Sequence, residues 1–185
     1  MQTDKQLVDE ILAGATEKFS VLAERYQQQV YRFLRGMSLD HDEAADVLQC
    51  SLIRAYEKLD TLRGGERFRV WFYTIAANQA RNHMRRGKRD VALESVVLSS
   101  EDERLDEALD RERMSELMEG ALQSLSEDQR RVVLLRIYQE MPFSEVAETC
   151  GISKSNSKVM FHRAMKTLAR WLAPAAERMN LDSER

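Results

Sequence analysis

The sequence predicts an all-α protein made of two small helical domains joined by a flexible linker. The 185 residues are rich in the helix formers Leu, Ala, Glu and Arg, with only two prolines and seven glycines. Apolar residues recur at the spacing of amphipathic helices in both halves of the chain. This period is lost over residues 89–105, where a basic run gives way to serines and acidic residues, as is typical of a linker.

The N-terminal domain (1–88) is predicted to contain four helices. The side chains expected to cap the first three are those of Thr3, Thr16 and Asp40. Gln6 and Glu43 stand three residues after Thr3 and Asp40 and complete capping boxes with them. The glycines that separate the predicted helices are Gly14, Gly36, Gly64 and Gly65. The fourth helix then carries an apolar stripe that begins at Phe68.

The C-terminal domain (106–173) is predicted to end in a helix-turn-helix. Its expected helix boundaries are Ser126 (in a capping box with Gln129), Pro142, Gly151 and Ser153. Ala147 is small where the two helices of such a motif pack closest, and Gly151 suits the positive φ of the turn. The inward positions are Val146, Cys150, Ile152, Ser157 and Met160. The segment 174–185 is expected to be a polar, frayed tail.

The last predicted helix gathers cations. The stretch GISKSNSKVMFHRAMKTLARW (151–171) contains no Asp or Glu, although the chain has a net charge of −3. Its cations are Lys154, Lys158, Arg163, Lys166 and Arg170. A surface without carboxylates attracts phosphates and releases their counterions, so the pattern predicts a helix that binds duplex DNA. The alternative is a solvated helix with charge placed by chance. We interpret His162 as a base or phosphate contact rather than a metal ligand or a core residue.

A second basic stretch, FRVWFYTIAANQARNHMRRGKR (68–89), combines aromatic residues with arginines. Unpaired bases stack on aromatic rings while cations follow the backbone, so this composition suits melted DNA. However, Phe68, Trp71, Phe72 and Ile75 have the spacing of a core stripe. We therefore assign Trp71 and Phe72 to the core, and we expect Tyr73, Asn78 and Arg81 on the outward face.

Several other classes of protein are disfavoured. No apolar run approaches membrane-spanning length and no secretion signal begins the chain, so we expect a cytosolic protein. Within LDHDE (39–43), Asp40 and Glu43 are explained more simply as helix-capping residues than as metal ligands or catalytic groups. We expect no cofactor, no metal and no enzymatic activity. Cys50 and Cys150 lack the spacing of a redox motif and are interpreted as small apolar residues.

In three ordered stretches the chain resembles the extracytoplasmic-function sigma factors, which are small bacterial relatives of sigma-70 with only domains two and four. DEAADVLQCSLIRAYEKLD is similar to region 2.2, and FRVWFYTIAANQARNHMRR is similar to regions 2.3 and 2.4. ALQSLSEDQRRVVLLRIYQEMPFSEVAETCGIS resembles region 4, which the recognition helix follows. The resemblance implies an alternative sigma factor that directs core RNA polymerase to promoters by binding −35 duplex and melted −10 DNA.

The resemblance also implies partners and residue roles. Asp46, Gln49 and Ile53 would contact the β′ coiled coil of the polymerase, while the C-terminal domain would contact the β flap. Residue periodicity alone favours a different reading, in which Asp46 and Gln49 face solvent and Ile53 lies in the core. The implied −10 DNA contacts are Arg63, Tyr73, Asn78, Arg81, Arg85 and Arg86. The implied −35 DNA contacts are Lys154, Ser155, Lys158, His162, Arg163 and Lys166.

The family pattern further implies that the loop Asp60–Arg67 holds a flipped −10 base and that the linker reaches towards the polymerase active centre. An anti-sigma factor would hold the free protein inactive, either in the cytoplasm or at the inner membrane. The sequence departs from the pattern at Cys50, which stands where Glu is common, and at Ser157 and Met160 in the recognition helix. A stand-alone helix-turn-helix regulator is the alternative function.

Overall fold

The computed structural model describes residues 2–90 and 116–183, and within these ranges it is helical, without strands. The N-terminal domain consists of α1 (Asp4–Leu12), α2 (Phe19–Gly36), α3 (His41–Glu57) and α4 (Phe68–Asp90), with 3-10 turns at Thr16–Lys18, Leu59–Thr61 and Gly65–Arg67. The C-terminal domain consists of α5 (116–123), α6 (Glu127–Val133), a π-helical turn (Leu134–Tyr138), α7 (Phe143–Cys150) and α8 (Lys154–Ser183). The predicted flexible linker, 89–105, lies outside the described residues except for positions 89 and 90, which extend α4.

The predicted capping boxes are confirmed at the starts of α1, α3 and α6. In each, the side chain of Thr3, Asp40 or Ser126 accepts a hydrogen bond from a backbone N–H three residues later, and that residue's side chain bonds back. The prediction for Thr16 is wrong. The chain enters α2 through the 3-10 turn Thr16–Lys18, so Thr16 lies inside a turn and caps nothing.

The helix-turn-helix forms as predicted from α7 and the first half of α8. Gly151 adopts φ 67° and ψ 34°, the left-handed conformation that a side chain would disfavour. The hydroxyl of Ser153 accepts a hydrogen bond from the backbone N–H of Asn156 at 3.1 Å and so caps α8. The backbone remains helical past Pro174 to Ser183, so the expected frayed tail is wrong over these residues. A proline removes only one helical hydrogen bond, and the alanines, Glu177 and Arg178 that follow it favour helix.

One hydrophobic core runs through both domains. Leu22, Phe33 and Phe72 of the N-terminal domain are at most 1% exposed. Leu135 and Val146 of the C-terminal domain belong to the same cluster. Trp71 is partly buried against this cluster, so the assignment of Trp71 and Phe72 to the core is confirmed. The N-terminal domain therefore packs directly on the C-terminal domain.

A smaller core cluster lies within the C-terminal domain. Its members come from α5, α6 and α8 and from the turn after α5: Ala121, Leu125, Val133, Ala164 and Leu168. This cluster attaches the middle of α8 to the rest of the domain. The N-terminal turns of α8 bury one face against the domain and expose the other face to solvent.

Candidate nucleic-acid and polymerase interfaces

The free face of α8 carries all six of the side chains implicated in −35 binding. Each is exposed: Lys154, Ser155, Lys158, His162, Arg163 and Lys166. The opposite face is buried, with Ser157 and Ala164 at 0% exposed. No Asp or Glu interrupts α8 from Lys154 to Ala173. The helix therefore presents one continuous basic surface to solvent.

Ser157 fixes the position of this basic surface. It takes the inward place predicted for it, and its hydroxyl donates hydrogen bonds to the carbonyl of Lys154 at 2.8 Å and that of Phe143 at 3.3 Å. Phe143 is the first residue of α7, so the second bond joins the two helices of the motif. A polar residue is tolerated here because its hydroxyl is satisfied.

A groove of about 430 Å³ borders the basic surface. It is lined by Arg136, Ile137, Glu140, Phe143, Phe161 and His162. The guanidinium of Arg136 lies 5.0 Å from the centroid of the Phe143 ring and donates a hydrogen bond to the carbonyl of Met141. Ile137, which lines the groove, and the next residue in the chain, Tyr138, are 45% and 53% exposed. These two exposed apolar side chains were not singled out from the sequence, where they read as part of the helical stripe.

On α4 the structure divides the predicted −10 residues into two groups. Asn78, Arg85 and Arg86 are exposed, as is Arg63 in the preceding loop. Tyr73 is 0% exposed, so the expectation that it faces outward is wrong. Its ring packs on Phe33 and its hydroxyl donates a hydrogen bond to Oε1 of Gln139, at 2.5 Å. Burial raises the pKa of the Tyr73 hydroxyl.

Arg81 is half-buried against the C-terminal domain. Its Nε lies 3.7 Å from Oε1 of Glu127, and its Nη2 lies 3.5 Å from Oδ1 of Asp128. The same Asp128 oxygen accepts a hydrogen bond from Arg131, whose side chain is 4% exposed, at 2.6 Å. The Arg81 side chain therefore points towards carboxylates of the C-terminal domain and not directly outward into solvent.

Two further polar contacts join the domains, and both come from residues that precede Tyr73 in the chain. The guanidinium of Arg69 donates to the backbone carbonyl of Gln139, and Arg67 forms an ion pair with Glu148 on α7. Gln139 thus accepts hydrogen bonds from two residues of α4, one through its backbone and one through its side chain. We call the contacts of Arg69, Tyr73 and Arg81 with the C-terminal domain the interdomain latch.

The exposed face of α3 carries the three residues implicated in polymerase binding. Asp46 and Gln49 are exposed, and Ile53 is 53% exposed. The expectation from periodicity that Ile53 lies in the core is therefore wrong, because Val47, Ser51 and Ala55 form the buried side of α3. Tyr56, which is 46% exposed, extends this surface by one further turn. Sequence reasoning missed it, although it stands three residues after Ile53.

The loop between α3 and α4 is held from behind by α1. Gly64 has φ 84°, and Gly65 is buried. A Cβ on Gly65 would lie 2.7 Å from Cα of Lys5. Of the two glycines, Gly65 is the one that approaches α1 closely.

The two cysteines differ. Cys150 is buried, as expected, and burial raises the pKa of its thiol despite the neighbouring Arg131. Cys50, which was also interpreted as a small apolar residue, is exposed on α3. The residue lies between Gln49 and Ile53, on or near the surface implicated in polymerase binding.

Asp40 and Glu43 of LDHDE form the helix cap, as predicted. Glu43 completes the box with Asp40, and its other carboxylate oxygen lies 3.0 Å from Nε2 of His83. Nδ1 of His41 lies 2.6 Å from the hydroxyl of Tyr31. Across residues 2–90 and 116–183 no group of three or more His, Cys, Asp or Glu side chains is placed to hold a metal ion. Nor does any helix in these ranges have the length and apolar character needed to cross a membrane.

Comparison with known proteins relates both domains to the sigma-70 family. The model of sigma-70 region 2 matches residues 22–90, and that of sigma-70 region 4 matches residues 115–168. The ECF RNA polymerase sigma-E factor of Salmonella typhimurium is 27% identical over 189 residues, which cover 95% of this chain and 97% of the relative. The chain is an extracytoplasmic-function (ECF) sigma factor.

Two further relatives agree with this assignment. The RNA polymerase sigma-H factor of Pseudomonas aeruginosa is 29% identical over 186 residues, covering 94% of the ECF sigma factor described here and 95% of the relative. The sigma factor RpoE from Bartonella quintana, solved in complex with the anti-sigma factor NepR, has a TM-score of 0.71 and 26% identity. The match covers 85% of this chain and 98% of that chain.

As an alternative sigma factor, the protein is a transcription initiation factor that directs RNA polymerase to promoters. The N-terminal domain is the region 2 domain, with α2, α3 and α4 lying almost wholly within the match. The C-terminal domain is the region 4 domain, and its match ends within α8. Helix α1 lies outside both matched ranges.

Proposed function

We propose that this ECF sigma factor binds core polymerase through α3, captures melted −10 DNA along α4, and places α8 in the major groove of the −35 element. The observation that carries the proposal is the uninterrupted basic face of α8, since a helix-turn-helix reads duplex DNA with the exposed face of its second helix. The cations bind phosphates and Ser155 and His162 are available to base edges.

Polymerase binding is assigned to the α3 face. Asp46, Gln49 and Ile53 are spaced three or four residues apart and are all exposed, so one partner helix such as the β′ coiled coil can contact all three. An exposed isoleucine between polar residues supports a partner surface rather than a solvated one. The β flap is assigned to the C-terminal domain. The protein supplies no catalytic group, because the polymerase performs the chemistry.

The −10 role of α4 requires the two domains to separate. Tyr73 is buried in the interdomain latch, so it cannot contact DNA in this arrangement, and the half-buried Arg81 faces Glu127 and Asp128. Asn78, Arg85 and Arg86 are already accessible. We infer that polymerase binding draws the C-terminal domain away from α4 and completes the −10 surface.

An anti-sigma factor is the proposed inhibitor. RpoE of Bartonella quintana forms a complex with the anti-sigma factor NepR, and the fold of this chain is similar to RpoE over most of its length. A partner that stabilises the interdomain latch would keep Arg81 from DNA. The protein is proposed to act in the cytoplasm, where polymerase and promoters are found, with membrane attachment supplied by the anti-sigma factor where that protein is membrane-bound.

The test is transcription by the reconstituted holoenzyme. Purified protein and core polymerase are combined and new start sites are mapped on genomic DNA, with Asp46→Ala and Gln49→Ala as variants of the α3 face. The matched control is Asp9→Ala, which removes an exposed carboxylate from α1 of the same domain. We expect wild-type and control protein to initiate at shared, specific sites, and both α3 variants to bind core polymerase at least about tenfold more weakly.

Two results would contradict the proposal. Failure of the folded wild-type protein to bind core polymerase, together with sequence-specific binding to duplex DNA, would identify a stand-alone helix-turn-helix regulator. Full polymerase binding by a variant that combines Asp46→Ala with Gln49→Ala would reject the α3 face and leave the promoter surfaces to be tested separately.

A further inference from the structure

Helix α1 contacts the loop between α3 and α4 through backbone atoms. Gly65 is buried, and a Cβ at this position would lie 2.7 Å from Cα of Lys5 and 3.2 Å from the Lys5 carbonyl oxygen. It would also lie 3.1 Å from Cβ of Val8. Backbone atoms cannot rotate away as the end of a long side chain can. The separation of the loop from α1 is therefore set by the missing side chain of Gly65.

The other side of α1 is attached to α2. The carboxylate of Asp4 accepts hydrogen bonds from the guanidinium of Arg25 and the hydroxyl of Tyr26. Arg25 also donates to the backbone carbonyl of Gln2, at 2.9 Å. The apolar face of α1 is buried through Leu7, Val8 and Ile11. These contacts leave α1 little freedom to follow a displacement of the loop.

The position of Gly65 determines what the loop presents. The residue before it, Gly64, has φ 84°, and Arg63 before that is exposed. A displacement at Gly65 therefore reaches the exposed part of the loop within two residues. The region 2 match begins at residue 22, so α1 is not part of the matched domain, although it supports the loop of that domain.

We propose that α1 is a positioning strut for the loop Asp60–Arg67, and that its backbone contact with Gly65 determines which −10 bases the loop accepts. The proposal rests on the proposed role of this loop in holding a flipped −10 base. In this proposal α1 does not contact DNA. It acts by fixing the position of the loop relative to α4. Gly65 is accordingly a positioning residue for base selection.

The experiment compares base preference rather than overall activity. Holoenzymes containing wild-type protein or Gly65→Ala transcribe a promoter library in which every −10 position carries each of the four bases. We expect Gly65→Ala to reduce the preference for the favoured base by about tenfold at one or two −10 positions, which is within the effect of a single mismatched base pair. Preference at the −35 positions should be unchanged, because the C-terminal domain is intact.

Lys5→Ala is the matched control. It removes the exposed Lys5 side chain and its ion pair with Asp9 but keeps the backbone atoms that contact Gly65, so base preference should stay as in the wild type. Arg63→Ala tests the loop itself. Where Gly65→Ala does not give folded protein, Asp4→Asn loosens the strut at its α2 end and should alter preference at the same −10 positions.

The outcomes separate the strut from the loop. A changed −10 preference with Arg63→Ala but not with folded Gly65→Ala overturns the strut and leaves the loop's proposed role intact. If neither Arg63→Ala nor Gly65→Ala changes the −10 base preference, the proposed role of the loop is overturned. The proposed role of α1 is then overturned as well, because it rests on the role of the loop. A −10 preference altered equally by Lys5→Ala would also overturn the strut, because the contact would then act through the side chain.

Discussion

The hydroxyl of Tyr73 on α4 donates a 2.5 Å hydrogen bond to Oε1 of Gln139 in the C-terminal domain, and the two side chains are 0% and 8% exposed. The bond crosses the interface between the proposed −10 surface and the domain that is proposed to bind −35 DNA. Because both groups are shielded from water, removing either one leaves the other without a hydrogen-bond partner. This pair therefore allows the strength of the interdomain latch to be measured.

Gln139→Leu should destabilise the protein by about 1–3 kcal/mol, since it leaves the Tyr73 hydroxyl buried and unpaired. Tyr73→Phe keeps the ring contact with Phe33 and leaves only the Gln139 amide unpaired. The double variant should cost less than the sum of the two single variants, because both polar partners are removed together. Free energies of unfolding in urea provide the cycle. Strictly additive costs would mean that the two groups are not coupled.

The same tyrosine makes the fold sensitive to alkaline pH. Burial raises the pKa of Tyr73 above its ordinary value of 10.0, so the folded state favours the neutral phenol. This contribution to stability is complete below pH 10 and is lost as pH rises through the raised pKa. Thermal unfolding measured from pH 8 upwards, in steps of about half a unit, should show a smaller alkaline loss for Tyr73→Phe than for wild type. Tyr26 also has a raised pKa and remains in both proteins. If the stability of the two proteins falls in parallel as pH rises, Tyr73 is not the source of the alkaline sensitivity.

Asp128 and Glu127 are neighbouring acids with different expected effects. Asp128→Ala deprives the nearly buried Arg131 of the carboxylate 2.6 Å away and should cost about 2 kcal/mol of unfolding free energy. Glu127→Ala removes only a 3.7 Å contact with the half-exposed Arg81, so its cost should stay within about 0.5 kcal/mol. Both acids lie in the first turn of α6, so the loss of their interaction with the helix dipole is matched. Equal costs would show that the buried guanidinium does not depend on Asp128.

Arg163→Ala should weaken binding of the holoenzyme to promoters that depend on a −35 element. If Arg163 neutralises one phosphate, the slope of log affinity against log salt should fall by about one. Binding of a promoter fragment measured between about 50 and 200 mM salt gives this slope. Lys58→Ala, which removes an exposed cation after α3, should leave the slope and the start sites unchanged. An unaltered slope with Arg163→Ala would remove this residue from the DNA surface.

The local features of the fold were predictable from sequence because they depend on neighbouring residues. A capping box joins a residue to one three positions later, and the helix-turn-helix depends on Ala147, Gly151 and Ser157 within one short segment. The prediction that Thr16 caps a helix was wrong, although threonine is a common capping residue. The chain begins a 3-10 turn after Ala15, so Thr16 lies inside that turn. Cap preference is a local tendency that the path of the chain can override.

The interdomain latch could not be predicted in this way. Tyr73 and Gln139 are 66 positions apart, and each resembles a surface residue when its own segment of the chain is considered alone. Their burial follows from the packing of the two domains, which periodicity does not report. Ile53 is the opposite case, a residue predicted to be buried that is exposed. Its apolar side chain suggested a core position, but the buried face of α3 is formed by other residues. An apolar residue that awaits a partner protein has the same sequence signature as a core residue.

Gln139 contacts α4 twice, through its backbone and its side chain, yet it lies outside the exposed basic face of α8. The residues that hold the two domains together and those that would select a −35 sequence are thus different. On the proposed mechanism, a single change at position 139 alters how readily the two domains separate, while the −35 preference is preserved. Duplicated copies of such a gene could acquire different activation thresholds before they acquire different sets of target promoters.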